Sequence, residues 1–299
     1  MQHWTELRTA LYIARHGSLS RAAAALSTHR ATVLRHLKTL EAHYEIELFR
    51  RHAKGYVATE AGAELLRMTT AAERHFEELA TELRDRRGAL VGELRLTSPA
   101  ILAPILMPAI ARFRGTNPRM RVVYLAGSQP LRLDLGEADV AIRHGGEPKA
   151  KGEIVSVLAN VDFALFAHRQ YVEQFGAIES IDDLSGHRFV GAVFEPTSPL
   201  LYRWIDDHVA AENIVFRAPG PKVIEDALLQ GIGITFFPIK RAEQYPELVQ
   251  MCPAQKRWQK KLCAVTHESN HHRPRVQAFL EALTSEPFDF SSSVWRSSG

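Results

Sequence analysis

Gly17-Ser18-Leu19-Ser20-Arg21-Ala22-Ala23-Ala24-Ala25-Leu26-Ser27-Thr28-His29-Arg30-Ala31-Thr32-Val33-Leu34-Arg35-His36-Leu37-Lys38-Thr39-Leu40 is the stretch whose reading decides the fold. Gly17 closes the helix before it, and Ser18 is a favourable N-cap for the helix after it. The second helix, Ala22 to Leu26, is made of small residues that let another helix approach its backbone closely. Ser27-Thr28 breaks the pattern, and Thr28 is expected to cap a third helix. Val33, Leu37 and Leu40 share one side of that helix. At about 100° per residue, Ala31, Arg35 and Lys38 fall on the other. Two short helices joined by a tight turn, the second basic on its outer face, have the properties a recognition helix needs to enter a major groove.

Working outward, Trp4, Leu7, Leu11 and Ala14 predict an amphipathic helix before Gly17. Downstream, Leu48-Phe49-Arg50-Arg51 and Tyr56-Val57-Ala58-Thr59 read as two strands around a Lys54-Gly55 turn, a basic hairpin able to touch phosphates. Thr59 then caps a long helix expected from Glu60 to Arg87. Leu65, Thr69, Ala72, Phe76, Leu79 and Leu83 alternate in steps of four and three, a heptad seam with one polar position. At about 1.5 Å per residue the helix would span about 40 Å. Its seam can pack on its own domain or on a second copy; Glu and Arg on both flanks favour a coiled-coil dimer.

From Gly92 the composition shifts. Strands are expected at Glu93–Thr97, Arg121–Leu125, Ala138–Arg143, Phe163–Ala167, Arg188–Val193, Val215–Arg217, Gly233–Phe237 and Leu262–Thr266. Helices are expected around Pro99–Phe113, Tyr202–Ala211, Val223–Gln230 and Arg273–Thr284. Such alternation predicts an α/β architecture with largely parallel sheets. The Ser-rich tail, 287–299, is expected to be loosely ordered.

The bulk numbers fit a multidomain globular chain: 299 residues, 45% hydrophobic and 24% charged. The start is polar and amphipathic, no apolar run is long enough to span a membrane, and a cytoplasmic location without membrane contact is expected. The net charge of +3 is uneven. Residues 1–60 hold nine Lys and Arg against five Asp and Glu, so the positive balance lies in the first fifth of the chain. Two cysteines, Cys252 and Cys263, make no disulfide framework and read as small buried residues. There is no Gly-rich phosphate loop and no Ser or Cys nucleophile motif, so neither a catalytic residue nor a cofactor is expected. His267, His271 and His272 cluster near a helix start without the spacing of metal ligands, and no metal is expected.

The run Gly17-Ser18-Leu19-Ser20-Arg21-Ala22-Ala23, then Leu26, Arg35, Leu40-Glu41, Leu48-Phe49-Arg50-Arg51 and Thr59-Glu60-Ala61-Gly62 resembles the LysR-type transcriptional regulators. Asp139-Val140-Ala141-Ile142-Arg143, Leu184-Ser185-Gly186-His187-Arg188 and Gly231-Ile232-Gly233-Ile234 resemble the family's effector domain. The resemblance implies an N-terminal, mainly α winged helix-turn-helix (1–60), a linker and dimerisation helix (61–88), and an α/β effector domain (92–286) like a type II periplasmic-binding protein. Its two lobes would be 92–161 with 267–286, and 162–266.

The positions that would sit on promoter or operator DNA are Ser18, Ser20, Arg21, His29, Arg30, Ala31, Thr32, Leu34, Arg35, Lys38, Arg50, Arg51 and Lys54. The family's recognition helix usually opens Ser-Gln-Pro and carries Ser just before the Arg; this chain has His29-Arg30-Ala31 and Leu34. Arg30 could pair with a guanine, and Leu34 could meet a thymine methyl or pack inward. Arg35, Lys38, Arg50, Arg51 and Lys54 suit phosphates. A small-molecule effector would sit between the lobes, near Thr97, Ser98, Pro99, Ala100, Gly127, Ser128, Gln129, Arg143, His144, Phe194 and Glu195. Ser98 and the helix start beside it could hold an anion, and Arg143 would suit a small organic acid. The resemblance further implies dimers pairing into tetramers, and effector-driven changes in promoter bending and in contact with RNA polymerase. Two alternatives stay open: an effector-independent repressor with a blocked cleft, and a solute-binding or catalytic domain tethered to DNA.

Overall fold

A computed structural model describes residues 3–52, 55–84, 90–127, 131–145, 147–148, 150–178, 180–181, 184–193 and 200–288, with the side chains of 77, 78 and 80–84 left aside. The chain divides into two compact units, residues 1–92 with 134–137, and 93–133 with 138–299.

The first unit is built on three helices, α1 (Trp4–His16), α2 (Leu19–Ala25) and α3 (Arg30–Tyr44). Gly17 ends α1 in the left-handed conformation, its N–H donating to Ile13 O, and the Ser18 hydroxyl caps α2 by accepting from the Arg21 N–H. Ala10, Ile13, Ala22, Val33, Leu37 and Leu40 are buried together. The small residues of α2 thus permit the close packing their size suggested. Thr28 does not cap α3. Ser27 takes a positive φ of 51° and the Thr28 N–H is drawn back to Ala23 O. The helix therefore starts one residue later, at a His29 N-cap that makes no side-chain bond to the first turn.

The hairpin forms as expected. Strands β1 (Phe49–His52) and β2 (Gly55–Ala58) pair antiparallel, with Arg50 opposite Val57 and Arg51 opposite Tyr56. Its base is fixed by three unrelated contacts. Glu41 Oε1 accepts the N–H groups of Leu48 at 2.8 Å and Phe49 at 3.3 Å. The Tyr56 N–H donates to Gly17 O at 2.9 Å, and Gly55 lies so close that a Cβ there would stand 2.1 Å from that oxygen. Thr59 donates its hydroxyl to Glu47 O and accepts from the Gly62 N–H, capping the next helix.

That helix, α4, is described over Glu60–Arg84; residues 85–88 of the expected helix and linker lie outside those described. Its seam divides. Leu65 packs against the helical core and Thr69 is buried. Beyond them Phe76 is 53% and Leu79 50% exposed, although Trp4 meets the Phe76 ring edge-on at 5.2 Å. The first turns of α4 therefore pack into the head through Leu65 and Thr69, while Phe76 and Leu79 further along, like Met68 before them, are exposed.

The second unit holds two groups of sheets. Its strands are β3 (Gly92–Ser98), β4 (Met120–Ala126), β5 (Val140–His144), β6 (Glu153–Val161), β7 (Phe163–His168), β8 (Phe189–Ala192), β9 (Ile214–Ala218), β10 (Thr235–Pro238), β11 (Leu248–Gln250) and β12 (Lys260–His267). Helices α5 (Ala103–Thr116), α6 (Arg169–Phe175), α7 (Leu200–His208), α8 (Pro221–Leu229), α9 (Ile239–Ala242), α10 (Glu268–His271) and α11 (Pro274–Thr284) pack between and around them. One sheet runs β4-β3-β5-β12-β6; the others are β10-β7-β11 and β8-β9. In the first lobe Phe113 and Phe279 meet edge to face at 5.5 Å. Asp139, at the head of the motif before Arg143, accepts from the Arg95 N–H and pairs with buried Arg275. In the second, Tyr171, Phe189, Phe236 and Trp258 form the core.

The expectation of largely parallel sheets is corrected. β3 with β5 and β8 with β9 are parallel, but β12 runs antiparallel to both β5 and β6, and β7 antiparallel to β10 and β11. Parallel pairing arises where a helix carries the chain back over one sheet; β12 arrives from the other lobe and is free of that constraint. β12 also belongs to the first sheet, so the chain returns before Lys260 rather than near 266. The two crossings are tied together by Gln259 Nε2 donating to Asp162 Oδ1 at 2.8 Å. β6 was not among the strands expected from sequence; only Asp162 separates it from β7, whose strand was expected at Phe163–Ala167. No helix among the described residues is long and apolar enough to cross a membrane.

Gly62 provides a direct check of the head's architecture. A Cβ at this buried position would stand 2.0 Å from Leu48 O. Gly62→Ala should therefore destabilise the first unit by about 2–4 kcal/mol, read from urea unfolding followed by helix circular dichroism. An unchanged midpoint would contradict the close approach.

Candidate DNA interface and effector cleft

The outward face of α3 is set by what its inner face buries. With Val33, Leu37 and Leu40 in the core, His29, Arg30, Ala31, Arg35 and Lys38 are exposed, while Thr32 and Leu34 are half-buried. Leu34 is only half-buried, so it is turned to the core and to the surface at once. It packs partly against the head's core and also lines a shallow hollow with Ala31, Arg35, Lys38, Thr39 and Ala42. Arg30, Arg35 and Lys38 have no acidic partner among the described residues, and the first-turn N–H groups of α3 have no side-chain acceptor. Positive charge and free N–H groups at a helix start both favour an approaching anion.

Other bases of the head are differently engaged. Arg15 pairs with Glu73 of α4 at 2.8 Å, and Arg8 lies 3.6 Å from the same carboxylate. Both guanidinium groups also lie over the Tyr12 ring. They hold α1 to α4, and the one carboxylate they share offsets part of their charge. Arg21 donates Nε to the Ser18 hydroxyl at 3.2 Å, so these two residues serve first to cap α2; Ser20 is exposed. On the hairpin, Arg50 and Arg51 are exposed, and Arg50 has only a loose 3.9 Å approach to exposed Glu47, too weak to hold it. Lys54 lies outside the described residues. Glu73 was not singled out from sequence, and Glu41 was named only as part of the family resemblance, without a role. Their partners are 7 to 65 positions away, a separation that carries no local signal.

In the second unit, Thr97 and Ser98 end β3, and Arg143 and His144 end β5. Thr97 stands opposite Ala141 in the parallel ladder, so these residues share one end of the sheet. Gly127 joins them, its N–H donating to Ser98 O at 3.1 Å. Their polar groups are largely matched within the chain. Thr97 donates its hydroxyl to Leu125 O at 3.0 Å. The buried Ser98 hydroxyl is hydrogen-bonded to the Tyr124 hydroxyl; burial pushes the Tyr124 phenol up, and its bond to Ser98 acts in the opposite sense. Pro99 and Ala100 do not open a long helix. A single 3-10 turn, Ala100–Leu102, intervenes before α5 and has no side-chain cap. Arg143 is held bidentately by Glu153, at 3.1 and 2.5 Å. His144 is exposed, with Phe163 edge-on at 6.1 Å. Ser128, Gln129, Phe194 and Glu195 lie outside the described residues. Tyr124 and Glu153 were missed because each partners its neighbour across strands rather than along the chain.

The remaining reactive side chains are accounted for structurally. His267 caps α10 by accepting from the Ser269 N–H, and His271 Nδ1 bonds the Thr266 hydroxyl at 2.8 Å. No group of three His, Cys, Asp or Glu that could hold a metal occurs among the described residues. Burial pushes both the Cys252 and Cys263 thiols up, the direction that disfavours the reactive thiolate.

Comparison with known proteins accords with this geometry. The family described as "Bacterial regulatory helix-turn-helix protein, lysR family" matches residues 4–63, and "LysR substrate binding domain" matches residues 87–287. The HTH-type transcriptional regulator CrgA of Neisseria meningitidis serogroup C is 28% identical over 236 residues, 77% of either chain. Among solved structures, full-length CbnR complexed with its target DNA superimposes with a TM-score of 0.61 at 19% identity, covering 94% of this chain and 98% of that one. Full-length LysG from Corynebacterium glutamicum with bound effector Arg gives 0.64 at 18% identity, covering 94% and 96%.

The Arg143–Glu153 pair is mostly buried, and removing one partner strands the other. Glu153→Ala should lower the stability of the second unit by about 1–3 kcal/mol, measured by chemical denaturation with Trp fluorescence as the probe. A variant as stable as the parent would show that the guanidinium is satisfied elsewhere.

Proposed function

The chain belongs to the LysR family of DNA-binding transcriptional regulators with a substrate-binding domain, and from that premise we propose that it is a ligand-responsive regulator working as a dimer of such heads. The observation that carries the reading is the acid-free outward face of α3, flanked by the basic hairpin. His29, Arg30, Ala31, Thr32 and Leu34 face base edges, while Arg35, Lys38, Arg50, Arg51 and Lys54 hold phosphates. Ser18, Ser20 and Arg21 place the start of α2 against the backbone. The uncovered Phe76 and Leu79 of α4 supply the seam between two copies, and effector domains pair such dimers into tetramers. A small molecule seated at the sheet end near Thr97–Ala100, Gly127, Ser128, Gln129, Arg143, His144, Phe194 and Glu195 shifts the population of domain arrangements. The angle between heads changes with it, and so do promoter bending and contact with RNA polymerase.

The matched state of that sheet end bears on the effector's chemistry. Arg143 already holds a carboxylate of its own chain, so it gives no reason to favour an organic acid. The Ser98–Tyr124 bond and the Arg143–Glu153 pair together also favour a second reading, an effector-independent repressor whose cleft is closed by its own side chains. Titration of the purified protein with a metabolite collection, followed by thermal unfolding, separates the two: a ligand that raises the midpoint supports the first, and none the second.

DNA binding itself has a quantitative signature. If Arg35, Lys38, Arg50, Arg51 and Lys54 of two heads neutralise phosphates, log K should fall against log salt with a slope of about −9. Fluorescence anisotropy on duplexes from upstream of the protein's own gene measures it. Arg35→Ala should reduce the slope by about 2 for the dimer, and a salt-independent affinity would overturn the proposal.

A further inference from the structure

The reading face of α3 has a narrow chemical vocabulary. From His29 to Lys38 the chain is His-Arg-Ala-Thr-Val-Leu-Arg-His-Leu-Lys, with no Asn, Gln, Asp or Glu. The next acid along the helix, Glu41, is turned to the hairpin, where its Oε1 accepts the Leu48 and Phe49 N–H groups. Val33 and Leu37 are buried, and His36 bonds the Thr9 hydroxyl of α1 through Nδ1 at 2.9 Å. The outward groups are cationic or apolar: Arg30 is exposed at the first residue of α3, and Arg35 and Lys38 line a hollow together with Ala31 and Leu34.

Each base presents a different demand in the major groove. Adenine is read by the paired donor and acceptor of an amide, and cytosine by a carboxylate that accepts from its amino group. Neither group is available on this face. Guanine, with two acceptors, suits arginine, and thymine alone offers a methyl that an apolar side chain can cover. The Thr32 and Thr39 hydroxyls and the His29 ring each present single groups that can serve several bases and discriminate little.

We infer that α3 specifies its half-site through guanine and thymine alone, Arg30 taking a guanine while Ala31 and Leu34 together cover a thymine methyl. The inference rests on the reading that α3 lies in the major groove. Leu34 is suited to its part because half of it is anchored in the head's core, so little side-chain freedom is lost when the exposed half meets a methyl. Covering one methyl is worth about 0.8 kcal/mol, or about fourfold in affinity.

The test changes the DNA and leaves the protein intact, so no variant's folding enters. Full-length protein is used to select duplexes from a random pool, and the tightest is resynthesised with single replacements of thymine by uracil, guanine by 7-deazaguanine and adenine by 7-deazaadenine. The expected result is about a fourfold loss for uracil at one thymine of each half-site and about a tenfold loss for 7-deazaguanine at one guanine, with 7-deazaadenine without effect. Sequence-specific binding that ignores uracil and 7-deazaguanine, or that weakens with 7-deazaadenine, overturns the inference and leaves DNA binding standing. Failure to enrich any duplex would instead overturn the proposed function and remove the ground of this inference with it.

Discussion

A single carboxylate joins the reading helix to its wing: Glu41, on the penultimate turn of α3, accepts the backbone N–H groups of Leu48 and Phe49. Two edge amides at the base of the hairpin would otherwise lack partners, and an unmet buried N–H costs about 1–3 kcal/mol. The bond sets where β1 begins. Gly55 can then lie against Gly17 O and Thr59 can reach back to Glu47. It also turns the helix's nearest acid away from solvent, which leaves the outer face of α3 to Arg30, Arg35 and Lys38. One interaction therefore serves both the geometry of the head and its electrostatics.

Internal pairing likewise decides the role of the other bases. A count of charges over residues 1–60 puts Arg8 and Arg15 among the groups available to a polyanion. In the structure they are engaged by Glu73 instead, and they fasten α1 to the middle of α4. Their role is mechanical: the long helix is fixed to α1 near its middle, while Phe76 and Leu79 further along are uncovered.

Much of the head was legible because its signals are local. Ser18 and Thr59 cap the helices that begin just after them, and Val33, Leu37 and Leu40 share the buried face that their spacing foretold. Thr28 misled because the cap depends on a φ at Ser27 that composition does not dictate. The effector domain was harder. Its alternation was visible, but β12 pairs with strands more than a hundred residues away, and its direction is set by the chain's return between lobes. The candidate cleft suffered most. Ser98 and Arg143 stand together at one sheet end as strand positions suggested. Their partners, Tyr124 and Glu153, come from other strands and turn two apparently free groups into satisfied ones.

The central claim is that α3 and the hairpin form the surface that meets DNA, on a head whose other bases are engaged internally. Hydrogen–deuterium exchange of the full-length protein, with and without a duplex from its own promoter, tests this most directly. The account predicts new protection over residues 29–38 and 49–58, with the segment around Arg8 and Arg15 unchanged. Protection around Arg8 and Arg15 with none on α3 would contradict it.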